Sequence, residues 1–518
     1  ENPPYYISIR VNDKTSYNIK ALYGDISANE QKRERILQTS LRIGSHEFDN
    51  TREIRDDYNQ WFDYPETINI SLEDSEQSIR TTIWRSIDDA YRDGINKYNQ
   101  VKANVAVKVD GEDESDDFSK EKTYVNYEKP INPEFNPDEW TQRLKQYSAV
   151  FLNFPEIYDA EANLTFTVER RSFVCTDGSE IEENSTAARL FLSGKVKADD
   201  GMELPLFQSY FAFLPQDLPD TKIILEDAQE MAELLVQLRT APVAESYAGP
   251  AILSGDAAGV FFHEIFGHRI EGHRLKLSTD GQTFKNKVGE SVLPEHLSVI
   301  FDPQMKQYNS EDLYGHYKYD DQGIKAQKVV VVDNGILNDF LMSRTPIQNF
   351  SSSNGHGRAY AGREVVSRQS NMIIKTSKPL SIQELRASLK NELKEQNKEY
   401  GFFFKTVKGG FTTTGRFMPN SFNVSPLVVY RVYADEREDE LIRGVDLIGT
   451  PLAMFSQIIE AADDYGIFHG TCGAESGWVP VSAISPSLLV KQIETQKNVK
   501  SQDRPFILPA PETKNQQK

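Results

Sequence analysis

The chain has 518 residues, enough for two or three domains with well-buried cores. Hydrophobic residues are 38% and charged residues 26%, with a mean hydropathy of −0.54, which excludes fibrous and low-complexity classes. The 58 Lys+Arg against 78 Asp+Glu leave a net charge of −20; this argues against contact with nucleic-acid backbones or anionic membrane surfaces, and no stretch reaches the ~18 apolar residues of a membrane span.

In chain order, Tyr6 to Val11 alternates apolar and polar residues and predicts a strand. Ile79, Ile83, Ile87, Tyr91 and Ile95 form a stripe at i+4 spacing, which predicts a helix over 78–98. The acidic stretch 110–117 reads as an exposed loop. A helix starts at Asp138 with Trp140, Leu144 and Tyr147 on one face. Short strands follow at 163–170, 171–176, 187–196 and 203–214, separated by turn signals at Asp177-Gly178 and Asp200-Gly201. Residues 225–239 predict a helix without internal Gly or Pro, and 241–250 reads as the passage into a second domain.

The second half opens with a helix from about Asp256. Strands are expected at 329–332, 335–343, 371–375, 401–407 and 427–434, with Asp333-Asn334-Gly335 as a hairpin turn. Residues 381–394 predict a further helix. The expected class is α+β: a mixed N-terminal part over 1–240, a part over 241–500 dominated by antiparallel sheet with one metal-bearing helix, and a polar tail over 501–518.

Two cysteines, Cys175 and Cys472, do not make a disulfide framework. The chain starts at Glu1, which fits removal of a secretory signal before it as well as trimming.

Three of the eight histidines fall within eleven residues, in the segment DAAGVFFHEIFGHRIEGHRLK from Asp256. Imidazole, thiolate and carboxylate are zinc ligands, and a carboxylate beside an activated water acts as general base. The usual zinc-peptidase spacing is H-E-x-x-H, with the two imidazoles on one helix face. Here His263-Glu264 and His268 make H-E-x-x-x-H. The extra residue turns His268 about 140° from His263 on a regular helix, so the helix must bulge or end between them. Gly267 is placed to allow either. A lone histidine more often only hydrogen-bonds or titrates, but an apolar helix that carries two imidazoles and a carboxylate must give them partners. Downstream, Cys472 lies in GTCGAESGWVPV, where small neighbours leave its sulfur accessible. A free cysteine is most often a small buried hydrophobe, and His469 is an alternative ligand in the same segment.

This pattern resembles the TldD/PmbA metallopeptidases, once described as modulators of DNA gyrase. The likeness extends in order through YDDQGIK (319–325), the strand pair over 333–344, SNGHGR (353–358), RQSN (368–371) and the closing region 447–486. It covers about residues 240–495 well and the first half loosely. In YDDQGIK, Gln322 stands where the family has an acid. Because the histidine motif is retained, the chain resembles the TldD-like, catalytic type.

The resemblance implies Zn2+ held by His263, His268 and Cys472, with Glu264 as general base. It further implies a homodimer, or a heterodimer with a PmbA-like subunit, around a cleft that admits unfolded or extended peptides. It places the chain in the cytoplasm, while export remains open. Arg358 and Arg363 are candidate substrate contacts, and Asp320-Asp321-Gln322-Gly323 reads equally as a structural turn. His273 and Glu271 are open as ligands or supporting groups. The competing readings are a non-catalytic partner subunit that binds peptide without cleaving it, and a DNA-binding modulator, which the net charge disfavours.

Overall fold

The computed structural model describes residues 2–54, 67–105, 113–277, 279–412, 414–415, 422–449 and 454–497. Its first part contains β1 (Pro4–Leu22), β2 (Asp25–Ile43), α1 (Glu76–Val105), α2 (Pro137–Ala149), β3 (Ile157–Cys175), β4 (Glu180–Lys197), β5 (Glu203–Ala212) and α3 (Thr221–Thr240). The long strands run antiparallel in the order β2-β1-β3-β4-β5 within a seven-stranded sheet. Tyr23 and Gly24 at the β1–β2 turn both have positive φ, the backbone that matches a two-residue hairpin to strand twist.

One face of this sheet is covered by α2 and α3. Trp140, Leu144 and Tyr147 of α2 and Ile224, Ala228 and Leu235 of α3 join Ile19, Leu164, Phe166 and Leu190 in one core. Asn136 caps α2 by accepting from the Glu139 amide, with Pro137 in its first turn. The isoleucine stripe of α1 is only half-buried, against β2.

The second part contains β6 (Tyr247–Leu253), α4 (Gly255–Ile265), β7 (Leu297–Phe301), β8 (Val329–Asp333), β9 (Asn371–Thr376), α5 (Ile382–Glu395), β10 (Tyr400–Thr412), β11 (Phe422–Tyr433), β12 (Val445–Gly449), β13 (Ile458–Ala474) and β14 (Gly477–Lys497). They belong to a twelve-stranded sheet that is mostly antiparallel. Its pairings close into a circuit: β6 with β10, β10 with β11, β11 with β12, β12 with β14, and β14 back to β6. The 21-residue β14 is long enough to pair also with β13 and, in parallel, with β9. The class is α+β.

Helix α4 packs against this curled sheet. It is apolar on nearly every side, as an interior helix must be, and only Asp256 and His263 escape burial. Ser254 caps it by accepting from the Ala257 amide. Gly255 lets it press on β13, because a Cβ there would stand 2.2 Å from the Gly466 nitrogen.

Some expectations change. The two strands expected over 163–176 are one, β3, which ends at Cys175. Between 335 and 343 only Ile336–Leu337 is strand, paired to β8 across the expected turn. Of the acidic stretch, residues 110–112 lie outside the described residues. Asp117 is not exposed but buried, 3.0 Å from Arg52 and 3.3 Å from Lys276, partners too distant in sequence to foresee. The expected tail over 501–518 also lies outside the described residues.

Candidate metal centre

The five-residue spacing of the histidines is resolved by ending the helix. Regular α4 stops at Ile265, Phe266 adopts φ −113°, and Gly267–Arg269 forms a separate 3-10 turn that re-aims His268. Arg269 stabilises the break: its guanidinium donates to the otherwise unpaired carbonyls of Glu264 (2.9 Å) and Ile265 (3.1 Å). Gly267 is needed for space, since a Cβ there would lie 2.0 Å from Oε1 of Gln369.

The other arm comes from β13. Cys472 is buried opposite Val479 of β14, next to the turn that joins the two strands. Its Sγ lies 3.4 Å from Nε2 of His268, and the His263 and His268 rings meet edge to face with centroids 5.1 Å apart. One ligand atom from each of His263, His268 and Cys472 can be chosen so that all lie within 4.8 Å of one another. Ligand atoms around tetrahedral zinc are about 3.3–3.6 Å apart, so the set fits that ion with modest closing of His263, and its N, N, S chemistry suits zinc with one position left open.

The electrostatics point the same way. Burial alone would raise the Cys472 thiol, but His268, Arg368 and His263 hold it well below its ordinary range. Burial would lower His268, yet Cys472 and Glu271 lift it to about 10. A buried thiolate facing two imidazoles is a site that takes a cation.

Behind the ligands lies a buried ionic scaffold. Nδ1 of His268 is 3.3 Å from Oε2 of Glu271, which fixes the ring with Nε2 toward the sulfur. Glu271 is itself held by Arg274 (2.8 Å) and Arg368 (3.4 Å). Arg274 also reaches Asp280 (3.2 Å) and Glu475 (3.0 Å), and Glu475 binds His273. Arg368 donates to the carbonyl of Cys472 (2.7 Å), the hydroxyl of Ser476 (2.7 Å) and the carbonyl of Gly477 (3.0 Å). Gln369 donates to the carbonyl of His263 at 3.3 Å. The segment RQSN therefore ties the early histidine turn to the late cysteine strand. Its arginine was not expected at the site, although RQSN is among the motifs of the resemblance.

The remaining candidates separate clearly. His469 points to the other face of β13, where it contacts Ser482 (2.9 Å) and Glu311 (2.9 Å), so it is not grouped with the three donors. His273 and Glu271 belong to the scaffold. His263 and Glu264 line a cavity of about 250 Å³ together with Arg189 and Lys408. Arg358 and Arg363 do not line it. Arg358 is buried and donates to the carbonyls of Gln369 (2.6 Å) and Pro480 (2.7 Å), while the Arg363 carbonyl accepts from Arg10. The Asp320-Asp321-Gln322 block is also taken up internally. Asp320 accepts from the amides of Gln322 (2.9 Å), Ile324 (2.9 Å) and Gly357 (3.0 Å). Asp321 binds Arg171 and lies 3.5 Å from Arg10, and Gln322 accepts from the Arg344 amide at 2.8 Å.

With fold and donor set in place, comparison with known proteins defines the class. Residues 246–497 match the PmbA/TldA metallopeptidase C-terminal domain. A metalloprotease of Methanocaldococcus jannaschii is 30% identical over 315 residues, 60% of this chain and 64% of that protein, so the match spans less than two thirds of that relative. A zinc metalloprotease TldD homolog of Saccharolobus solfataricus is 24% identical over 494 residues, 93% of this chain and 98% of that protein. Among solved structures, a Thermotoga maritima protein described as a modulator of a DNA gyrase superposes with TM-score 0.62 at 14% identity, over 95% of this chain and 96% of that one. TldE of Thermococcus kodakarensis gives 0.59 at 13% identity, over 95% and 97%. At these identities the two structures show a shared fold. Residues 246–497 thus form a domain of the PmbA/TldD family, and the chain over nearly its whole length is similar to a TldD homolog.

Proposed function

We propose that this chain is a zinc-dependent peptidase that cleaves unfolded or extended peptides. The observation that carries the reading is the convergence of His263, His268 and Cys472 from two distant segments within 4.8 Å, beside a cavity that Glu264 lines. A zinc ion held by these three would supply Lewis-acid activation of water and of the scissile carbonyl. Glu264 follows His263 directly and faces the same space. Burial raises its carboxyl above the usual range, while His263 and His268 pull it down, which suits a group that takes a proton from water and returns it to the leaving amine. The buried Arg274–Glu271–His268 chain keeps the ligand ring in one orientation.

The name of the Saccharolobus relative supports zinc as the metal. The likeness to TldE supports assembly with a second subunit of the same fold, as a homodimer or with a PmbA-like partner. Among the described residues no helix is long and apolar enough to cross a membrane.

The test pairs metal analysis with a cleavage assay on unstructured peptides. Purified protein should carry about one zinc per chain, and Cys472→Ala should lose it. Glu264→Gln should keep the zinc and lose cleavage. Cleavage at the normal rate by Glu264→Gln would refute the assignment of the base, and zinc retained undiminished by Cys472→Ala would refute the ligand set.

A further inference from the structure

Arg189 projects from β4 of the first sheet into the cavity that holds His263 and Glu264. It is a largely buried cation, and among the described residues it has no anionic partner. One guanidinium nitrogen donates to the carbonyl of His469 at 3.2 Å, and Nε is enclosed with no acceptor. The charge lies over the rings of Phe191 (4.6 Å) and Tyr314 (5.0 Å), which fixes its position. Among the described residues no carboxylate pairs with it, and the nearby acid Glu311 is bound to His469. Buried guanidinium groups are normally matched by a carboxylate or phosphate. One that lines a candidate catalytic cavity and lacks its match is placed for a ligand anion.

The surrounding charge gives the site a direction. Phe207, Phe468 and His469 are shared with an adjoining cavity of about 910 Å³, which is lined by Asp217, Asp256, Glu311 and Asp312. A carboxylate is repelled from that larger chamber and attracted to Arg189 and Lys408 in the smaller one. An extended peptide lying across both would have its carboxyl end beside the metal-ligand candidates and its amino side in the acidic chamber.

We infer that Arg189 is a substrate-binding residue that receives the free α-carboxylate of a peptide, so that the site reads the C-terminal end of its substrates. This rests on the peptidase reading, and the experiment separates the two. A short unstructured peptide is prepared as the free acid and as the C-terminal carboxamide. Affinity for both is measured by calorimetry on zinc-loaded Glu264→Gln protein, with and without Arg189→Gln and Arg189→Lys. The acid should bind about tenfold or more tightly than the amide, the size of one charge-assisted hydrogen bond. Arg189→Gln should bring that ratio close to one, and Arg189→Lys should restore part of it. Equal affinity for acid and amide in the protein that retains Arg189, a comparison needing no change at that position, overturns the inference. So does a preference that survives Arg189→Gln. Hydrolysis of the two peptides by the wild-type enzyme is followed in parallel. Cleavage without an acid preference leaves the peptidase standing and removes the role of Arg189. An acid preference without any cleavage does the reverse.

Discussion

Two buried ionic networks lie in the second half of this molecule, and they differ in what they leave free. Around Asp320 and Asp321, both carboxylates are engaged internally: three amides hold Asp320, and Arg171, Arg10 and the Ala359 amide hold Asp321. That network fastens the first sheet, through Arg10 of β1 and Arg171 of β3, to the second part of the chain. Around Glu271 the charges are equally buried, but the chain of contacts ends on His268 and Cys472, whose donor atoms face each other and His263. In the sequence both acids stand in short, largely polar runs, Glu271 just beyond α4 and Asp320-Asp321 between β7 and β8. What separates scaffold from site is whether the last polar atoms in the chain of contacts are already matched by the protein.

The largest effect that would sharpen this contrast is expected at Glu264. On the proposed reading Glu264→Gln removes the proton acceptor but no ligand, so peptide cleavage should fall about 10²–10⁴-fold at unchanged zinc content and thermal midpoint. A loss of zinc in parallel would make Glu264 part of the metal-holding set instead.

Next come the two networks themselves, each broken at its central acid. Glu271→Ala leaves Arg274 and Arg368 less compensated in the interior, and Asp321→Ala does the same to Arg171 and Arg10; each should cost about 3–5 kcal/mol of stability in denaturant unfolding. Zinc affinity distinguishes them. It should fall about 10–100-fold for Glu271→Ala, because His268 loses its orienting partner, and remain unchanged for Asp321→Ala. Equal zinc affinity in the two variants would erase the distinction drawn between the networks.

This contrast also shows what the sequence disclosed. The strands, the apolar helix α4 and the Asp-Asn-Gly hairpin follow from periodicity and turn chemistry that act over a few residues. So does the inference that H-E-x-x-x-H cannot sit on a regular helix, and the Phe266–Gly267 break answers it. Longer-range features were not legible. Nothing local marks Arg368 as the clamp on Cys472, Arg189 as a cavity wall from a different sheet, or Asp117 as a buried acid, because each role depends on partners more than fifty residues away. Arg358 and Arg363 were singled out by motif position, yet the carbonyls that receive Arg358 could be found only in three dimensions.

A smaller effect is expected at Gly267, which lies between the two modes of reading. Its flexibility was anticipated, but the structure gives it a second reason, the 2.0 Å approach of Gln369 to the missing Cβ. Gly267→Ala should push Gln369 off the carbonyl of His263 and cost about 1–3 kcal/mol, seen as a lowered thermal midpoint. A stable Gly267→Ala protein with normal zinc content would mean that Gln369 yields easily and does not hold the histidine segment.

The smallest effect concerns the other end of α4, where charge is neither aimed at the metal donors nor matched by a cation. Although Asp256 is partly exposed, the protein packed around its carboxyl strips away part of its water, and this desolvation with the nearby Glu311 raises it to about 6 from an ordinary 3.8. The folded state therefore binds this proton more tightly than the unfolded chain does. Its stabilising contribution is complete below pH ~4 and is lost as pH rises through about 6. Because Asp256 keeps contact with solvent, screening holds the effect below about 1 kcal/mol. Asp256→Asn should raise the thermal midpoint slightly at pH 8 and leave it unchanged near pH 4. A gain that is the same at both values would place its origin in packing against Gly466 and Ile467 rather than in charge, and the acidic chamber beyond α4 would lose its part in setting the direction of a bound peptide.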